Sequence, residues 1–233
     1  MAKILMVVSA ADSLTMKDGS EHPTGYWAEE LVASHRELRN AGHTVDIATP
    51  GGVKPTVDQV SLDPGAAGSE EKANDFREYI AGIDDELSAP LKLADVSAAD
   101  YAAVVIPGGH GPMADLFEDA DLGRILIETD QAGKFIAPFC HGPAALLSAV
   151  DADGKFRFEG RQVTVFTNEE ELGGGTGENT PWLVETALRE KGAVVEVGPN
   201  WSSYVVRDGN LISGQNPQSS EDVAKEVIGA LTE

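Results

Sequence analysis

The sequence lacks the features that mark disulfide-rich, secreted and membrane proteins. Only one of the 233 residues is cysteine, so no intrachain disulfide can form. No stretch approaches the about 20 apolar residues that a transmembrane helix needs, and the apolar run within residues 1–8 is too short for a signal peptide. We therefore expect a cytoplasmic protein in a reducing compartment, with no membrane partner.

Basic residues are also scarce. The chain has 17 Lys and Arg against 39 Asp and Glu, which gives a net charge of −22 at pH 7. Because nucleic-acid phosphates and anionic lipid surfaces attract positive charge, this balance argues against a nucleic-acid partner.

Recognisable cofactor motifs are missing as well. The five histidines show no metal-ligand spacing, and there is no second cysteine to complete a zinc site. No phosphate-binding loop or dinucleotide-binding fingerprint appears. We expect neither a metal nor a cofactor.

What the chain does contain is an alternation of apolar strands and amphipathic helices. Residues 3–8 and 44–48 read as strands on either side of a helix over 25–40, with Thr24 as its cap, which predicts a parallel β-α-β unit. Other predicted strands and helices follow along the chain: strands at 101–107, 134–139 and 193–197, helices at 70–80, 119–132, 144 onward and 180–191, a hairpin around 207–210, and a final helix to 231 capped by Ser219.

This order predicts an α/β fold with a doubly wound, mostly parallel sheet sandwiched by helices. Residues 1–233 show no repeat or linker, so a single domain is expected. In such sheets ligands bind beyond the carboxyl ends of the strands.

Cys140 is the first candidate for chemistry. It lies where the strand ending at Phe139 meets the helix expected from Ala144, and a residue at such a joint projects from a sharp turn. The N-terminal end of a helix favours a thiolate, and His141 is placed to assist a nucleophile. The alternative is that a lone cysteine is a small buried hydrophobe.

A pair of glycines follows another predicted strand. Gly108 and Gly109 let backbone N–H groups approach a ligand, so the N–H groups of Gly109 and His141 could form an oxyanion hole. The alternative is a plain tight turn, which a Gly-Gly pair without Cys140 nearby would favour. His110, next in the chain, is either a pocket residue or a surface-loop histidine.

Two acidic segments could supply the proton chemistry. Glu30 lies in the first helix, where a buried carboxyl group could remain protonated and exchange protons with a thiolate. Residues 169–171 are three consecutive glutamates, one of which could orient His141. The alternative is that these glutamates are solvent-exposed surface residues with no catalytic role.

Together these motifs resemble the ThiJ/PfpI superfamily, which is related to class I glutamine amidotransferase domains and has a flavodoxin-like sheet. The resemblance covers essentially the whole chain and is greatest for the chaperone-like glyoxalase III branch. It rests on Glu30, on Pro50-Gly51-Gly52, and on residues 106–111, 139–146 and 214–220.

The resemblance implies that Cys140 is the nucleophile, that Glu30 is the carboxyl group beside it, and that Gly108, Gly109 and His110 line the substrate site. His141 and one of Glu169, Glu170 and Glu171 would complete a triad, and alignment of the segment favours Glu171. It also implies a homodimer.

The function implied is a glutathione-independent glyoxalase, a lyase also called D-lactate dehydratase, that converts methylglyoxal to lactate through a hemithioacetal on Cys140. A cysteine hydrolase or peptidase would use the same residues, and a stress-response chaperone or redox sensor would use Cys140 without turnover. A small closed pocket would favour the small dicarbonyl substrate, and an open cleft would favour a peptide.

Overall fold

The central element is a seven-stranded sheet in which six strands run parallel. In a computed structural model that describes residues 1–232, the strand order is β10-β11-β7-β6-β1-β4-β5, and β10 alone is antiparallel. The strands are β1 (Lys3–Val7), β2 (Ser13–Thr15), β3 (Glu21–Pro23), β4 (Thr44–Thr49), β5 (Leu91–Lys92), β6 (Ala103–Ile106), β7 (Phe135–Pro138), β8 (Gln162–Val163), β9 (Val194–Val195), β10 (Val205–Asp208) and β11 (Leu211–Gly214). The pairs β2–β3 and β8–β9 lie outside the main sheet.

Helices cover both faces of this sheet. They are α1 (Ala28–Asn40), α2 (Pro64–Ala67), α3 (Glu70–Gly82), α4 (Asp84–Ser88), α5 (Ala120–Gln131), α6 (Asn168–Gly174), α7 (Val184–Glu190) and α8 (Ser220–Ala230). Short 3₁₀ turns connect several of the elements, including Gly142–Ser148 directly after the Cys140 turn.

The two faces of β1 show how the layers form. Alternate side chains of a strand point to opposite faces, and here Leu5 packs in one core with Leu126 of α5, while Met6 packs in the other with Leu31 of α1 and Val227 of α8. Residues 4–7 of β1 and all of β6 are apolar and buried, as expected for strands covered on both sides. The predicted doubly wound α/β fold is confirmed.

Several predicted boundaries are wrong for local reasons. Thr24 does not cap α1, because its hydroxyl donates to Asp58 Oδ2 at 2.9 Å and the helix begins three residues later than expected, after Trp27. Ser219 precedes α8, but its hydroxyl donates to the carbonyl of Tyr204 rather than capping the helix.

The predicted helix from Ala144 is the 3₁₀ turn Gly142–Ser148, which is too short and too tightly wound to carry a full helix dipole. Of the segment 180–191, only Val184–Glu190 is helical, and the strand predicted at 193–197 is only the two residues of β9. The acidic run 169–171, for which no element was predicted, lies in α6.

No helix within residues 1–232 has both the length and the hydrophobicity needed to cross a bilayer.

Truncating a core side chain of α5 tests this packing. Leu126 is fully buried, so Leu126→Ala should lower the free energy of unfolding by about 2–5 kcal/mol through lost contacts and a residual cavity. The matched control is Glu128→Ala on the exposed side of α5, which removes only a surface ion pair with Arg124 and should cost about 0.5 kcal/mol. Urea denaturation measures both, and equal losses would contradict the assignment of α5 to the core.

Candidate active site

The site lies at the carboxyl ends of β6 and β7, as the fold predicts. Cys140 lies two residues beyond Pro138, the last residue of β7, and has φ +55°, in the left-handed region that non-glycine residues rarely adopt. Its N–H donates to the carbonyl of Gly214 at 3.0 Å, and its carbonyl accepts the N–H of Phe166 at 2.9 Å. These two bonds hold the strained turn, which aims the sulfur into a small cavity.

Glu30 lies behind Cys140 and is completely buried. Helix α1 brings it there in its first turn, and the N–H of Gly108 donates to Glu30 Oε2 at 2.6 Å. The other oxygen, Oε1, has no hydrogen-bond partner at ordinary distance among the described residues. Burial raises the pKa of Glu30 to about 8, against the smaller opposing effects of the Gly108 N–H and of Cys140.

Cys140 and Glu30 must be treated as one titrating pair. Burial raises the pKa of the Cys140 thiol, and an ionised Glu30 raises it further, whereas the N–H groups of Gly109 and His141 lower it. A proton on Glu30 removes the repulsion and leaves the thiolate facing two N–H donors. The prediction of a resting thiolate favoured by a helix end therefore needs correction, because the proton on Glu30 decides the charge on sulfur.

His141 contacts both the sulfur and Glu171. Its Nδ1 lies 3.4 Å from Cys140 Sγ, and its Nε2 lies 2.5 Å from Glu171 Oε2. Burial lowers the pKa of His141 and nearby His110 lowers it further, while Glu171 raises it, with a net lowering. The imidazole is thus neutral near pH 7: Nε2 donates to Glu171, and Nδ1 is free to accept the thiol proton.

Glu171 serves two imidazoles at once. His110 Nε2 lies 3.0 Å from Glu171 Oε1, and that oxygen also accepts the N–H of Thr176 at 2.7 Å and bonds from the Thr176 and Thr180 hydroxyls. Burial opposes ionisation of Glu171, but His141 and His110 more than offset it and hold the pKa of the carboxyl well below its usual range. This carboxylate is fixed, ionised and unable to rotate.

The three consecutive glutamates therefore have different environments. Glu169 is exposed, Glu170 is buried in a separate set of hydrogen bonds, and Glu171 alone contacts His141. These different environments follow from the position of each glutamate on α6. The capping box between Thr167 and Glu170 fixes the start of this helix and therefore which of its side chains are buried.

The two N–H groups predicted to form an oxyanion hole, those of Gly109 and His141, both face the sulfur closely enough to lower its pKa. The N–H of Gly108 donates to Glu30 instead. The oxyanion role itself stays a prediction. Gly109 has φ +88°, and a Cβ there would come within 2.7 Å of the Trp27 nitrogen, so only glycine fits this position.

The cavity in front of Cys140 is small, at about 70 Å³, and its wall is mostly apolar. Its side-chain lining includes Trp27, His110, Cys140, His141, Phe166 and Trp201. Two larger depressions, of about 490 and 590 Å³, lie near Trp182 and near Val150 and are lined by no cysteine or histidine.

Sequence reasoning missed the aromatic wall and the two threonines on Glu171. Trp201 and Phe166 lie far from Cys140 in the chain, and nothing in their local sequence distinguishes them from core aromatics. The triple glycine 173–175 is not a phosphate loop: Gly174 and Gly175 line the cavity at the end of α6.

Within residues 1–232, one group of side chains has the spacing of a metal site: ligand atoms of His110, His141 and Glu171 all lie within 4.8 Å of one another. In this arrangement both imidazoles donate to the carboxylate, so a metal would have to displace those protons. The expectation of a metal-free protein stays a prediction.

The comparison with protein families agrees with this geometry. A model described as the DJ-1/PfpI family matches residues 24–230. The chain belongs to the DJ-1/PfpI family. The predicted membership of the ThiJ/PfpI superfamily is thereby confirmed, on a match that spans the site from Glu30 to Glu171.

Individual relatives cover nearly the whole chain. A Staphylococcus aureus protein named protein/nucleic acid deglycase HchA is 30% identical over 240 residues, which span 98% of this chain and 80% of that protein. The crystal structure of the Francisella tularensis Rapid Encystment Protein 24 KDa is 29% identical with a TM-score of 0.87, and covers 99% of each chain.

A third relative shows the fold alone. Glyoxalase III from Candida albicans is 24% identical, with a TM-score of 0.82 over 98% of this chain and 97% of that one. Both solved structures share the overall fold of this chain.

Removing the charge of Glu171 tests the imidazole environment. Because the carboxylate raises the pKa of His141 against the effect of burial, Glu171→Gln should lower that pKa further. NMR titration of the imidazole resonances measures it, with Glu169→Gln on the exposed side of α6 as the control. A His141 titration equal to wild type in Glu171→Gln would show that the two groups are not coupled.

Proposed function

We propose that the protein is a glutathione-independent glyoxalase that converts methylglyoxal to lactate. The observation that carries the proposal is the cavity of about 70 Å³ in front of Cys140, which suits a three-carbon dicarbonyl and excludes a folded peptide segment. The site supplies a nucleophile, a carboxyl group that can give and take a proton, and a neutral imidazole.

The first step is addition of the Cys140 thiolate to the aldehyde carbon. The carbonyl oxygen accepts the N–H groups of Gly109 and His141, which stabilise the charge that develops on it. Glu30 gives its proton to this oxygen, so that a hemithioacetal forms and Glu30 becomes a carboxylate.

The second step moves a proton between the two substrate carbons. Glu30 removes the hydrogen of the former aldehyde carbon as a proton, the bonding electrons form a carbon–carbon double bond, and the π electrons of the ketone carbonyl move to its oxygen, which gives an enediolate. Glu30 returns the proton to the adjacent carbon, and the hydroxyl proton on the former aldehyde carbon passes to the former ketone oxygen. The product is a thioester of lactate, with no net oxidation or reduction.

The last step is hydrolysis of the thioester. Neutral His141, oriented by Glu171, accepts a proton from water as the water attacks the thioester carbonyl. Lactate leaves, the sulfur returns to its anionic form, His141 passes its proton back to Glu30, and the proton of the new carboxylic acid is released to solvent. His110 restrains Glu171 from the opposite side and lies along the cavity wall.

The deglycase activity in the name of the Staphylococcus aureus relative is the second candidate. At 30% identity over 98% of this chain, that relative favours a site that releases dicarbonyl adducts, which would pass through the same hemithioacetal chemistry. Since that name includes nucleic acid, the absence of a nucleic-acid partner, inferred from the charge of −22, stays a prediction, as do the homodimer and the cytoplasmic location.

The peptidase fits the geometry less well, because a peptidase needs an open cleft and the walls formed by Trp27 and Trp201 leave none at Cys140. A redox sensor would use the same cavity, so mass spectrometry after mild peroxide distinguishes it. Gain of two oxygens on Cys140 with no turnover of any dicarbonyl would favour the sensor.

The deciding assay follows lactate formation from methylglyoxal without glutathione. Wild-type protein should produce lactate, and Cys140→Ala should lose at least about a thousandfold in rate because the covalent route is gone. The deglycase alternative is measured in parallel with a methylglyoxal-treated arginine peptide. Absence of lactate in wild type, or full activity in Cys140→Ala, would reject the glyoxalase.

The pH dependence tests the shared proton. The pair Glu30–Cys140 must have lost one of its two protons to react, so kcat/KM should rise with pH towards about 8, where Glu30 titrates. Above that range the second proton is lost and the rate should fall.

Glu30→Gln removes the group that carries the proton, so kcat/KM of this variant should drop by about 10²–10⁴-fold. The dependence of its kcat/KM on pH should then follow the titration of Cys140 alone. Initial rates from about pH 6 to about pH 10 measure both proteins. Profiles of the same shape in wild type and Glu30→Gln would show that Glu30 plays no part in the titration.

A further inference from the structure

Trp201 combines three unusual features at the mouth of the cavity. It is the only non-glycine residue besides Cys140 with positive φ among the described residues, at +57°, its side chain is 47% exposed, and it lines the cavity. A bulky residue in a left-handed conformation persists only where surrounding contacts hold it there.

Glu170 supplies that contact. The backbone N–H of Trp201 donates to Glu170 Oε1 at 2.8 Å, and the same oxygen accepts the side-chain amide of Asn216 at 2.9 Å. Glu170 is fully buried, and its two oxygens accept these N–H groups and, at Oε2, the N–H of Thr167. No ion pair with Lys or Arg is recorded for it within residues 1–232.

The segment at 214–220 explains why this carboxylate stays in place. Asn216 and Gln215, which follow β11, direct their side-chain amides to Glu170 Oε1, at 2.9 and 3.3 Å. These residues do not touch the reacting sulfur, and the proposed reaction leaves them without a role.

The indole itself closes the cavity. A Cβ at Gly174 would come within 2.7 Å of indole Cζ2, so the end of α6 packs directly against Trp201 only because that residue is glycine. On its inner side the indole makes an edge contact with Phe166 at 5.5 Å, and Phe166 in turn lies 4.5 Å from the His141 ring. The Phe166 ring therefore connects the Trp201 indole to the His141 ring.

We propose that Trp201 is the specificity-determining residue of this site, and that Glu170 is a positioning residue that holds it as the outer wall. The wall restricts the site to dicarbonyls with a small substituent and excludes aromatic ones. The claim about dicarbonyl substrates rests on the proposed glyoxalase activity. The claim that Trp201 limits the size of molecules that reach Cys140 does not.

Alkylation of Cys140, the single cysteine, tests whether Trp201 restricts access to the cavity, and it requires no catalytic turnover. The rate of labelling of Cys140 is measured by mass spectrometry with iodoacetamide, which is small, and with N-phenylmaleimide, which is bulky. Trp201→Ala should raise the ratio of the bulky to the small rate about tenfold, a typical effect of changing the size of an apolar pocket. Trp182→Phe is the control, because Trp182 packs on Phe117 away from this cavity.

Glu170→Gln tests the positioning role separately. The amide replaces one acceptor oxygen by a donor at nearly constant size, so it should loosen the Trp201 backbone and raise the same ratio about threefold. Glu169→Gln, one residue earlier on the exposed side of α6, should leave the ratio unchanged. A circular-dichroism spectrum matching wild type is required of each variant before its ratio is used.

The catalytic arm compares kcat/KM for phenylglyoxal and methylglyoxal in the same proteins. Trp201→Ala should shift the preference towards phenylglyoxal by about tenfold, chiefly through KM. If no protein turns over either dicarbonyl, the proposed function fails, but the alkylation ratios still show whether Trp201 restricts access to Cys140. An unchanged alkylation ratio in Trp201→Ala would show that it does not. An unchanged ratio in Glu170→Gln alone would show that Glu170 does not position Trp201.

Discussion

The left-handed backbone of Cys140 is the constraint on which the rest of the site depends. With φ +55°, this residue leaves the end of β7 on a path that points its sulfur away from the sheet and into the cavity. Such a conformation costs about 1–3 kcal/mol, which the hydrogen bonds to Gly214 and Phe166 and the packing of two cores must offset. A relaxed extended backbone at this position would direct the sulfur towards a core instead of towards Glu30 and His141.

The position of the Cys140 sulfur beside Glu30 also has an electrostatic consequence. Two acids, a thiol and a carboxyl group, are buried side by side, and burial disfavours both of their charged forms. The pair therefore exchanges one proton between its members more easily than it loses both. This property suits a reaction that needs a nucleophile first and a base immediately afterwards, and it needs no helix dipole, since only a short 3₁₀ turn follows Cys140.

Helix α6 organises the other side of the site with two adjacent carboxylates. Glu171 binds the two imidazoles, and Glu170 binds the backbone of Trp201 and the amides that follow β11. Because successive residues of a helix point in directions about 100° apart, one capped turn can reach both the His141 imidazole and the cavity wall. The protein thereby links its chemistry and the shape of its pocket through a seven-residue element.

The local sequence was sufficient for the alternation of strands and helices, for the sheet class, and for the candidates Cys140, His141, Glu30 and Glu171, because hydrophobic periodicity and strand-end turns are short-range patterns. It also ranked Glu171 ahead of its neighbours, but only through resemblance. Only the tertiary structure decided three further matters: that the N–H of Gly108 donates to Glu30, that an ionised Glu30 beside Cys140 raises the pKa of the thiol, and that Trp201 lines the cavity. The physical reason is that burial, and therefore the pKa of a carboxyl group or the wall of a pocket, arises from residues far apart in the chain and is not encoded in any one segment of it.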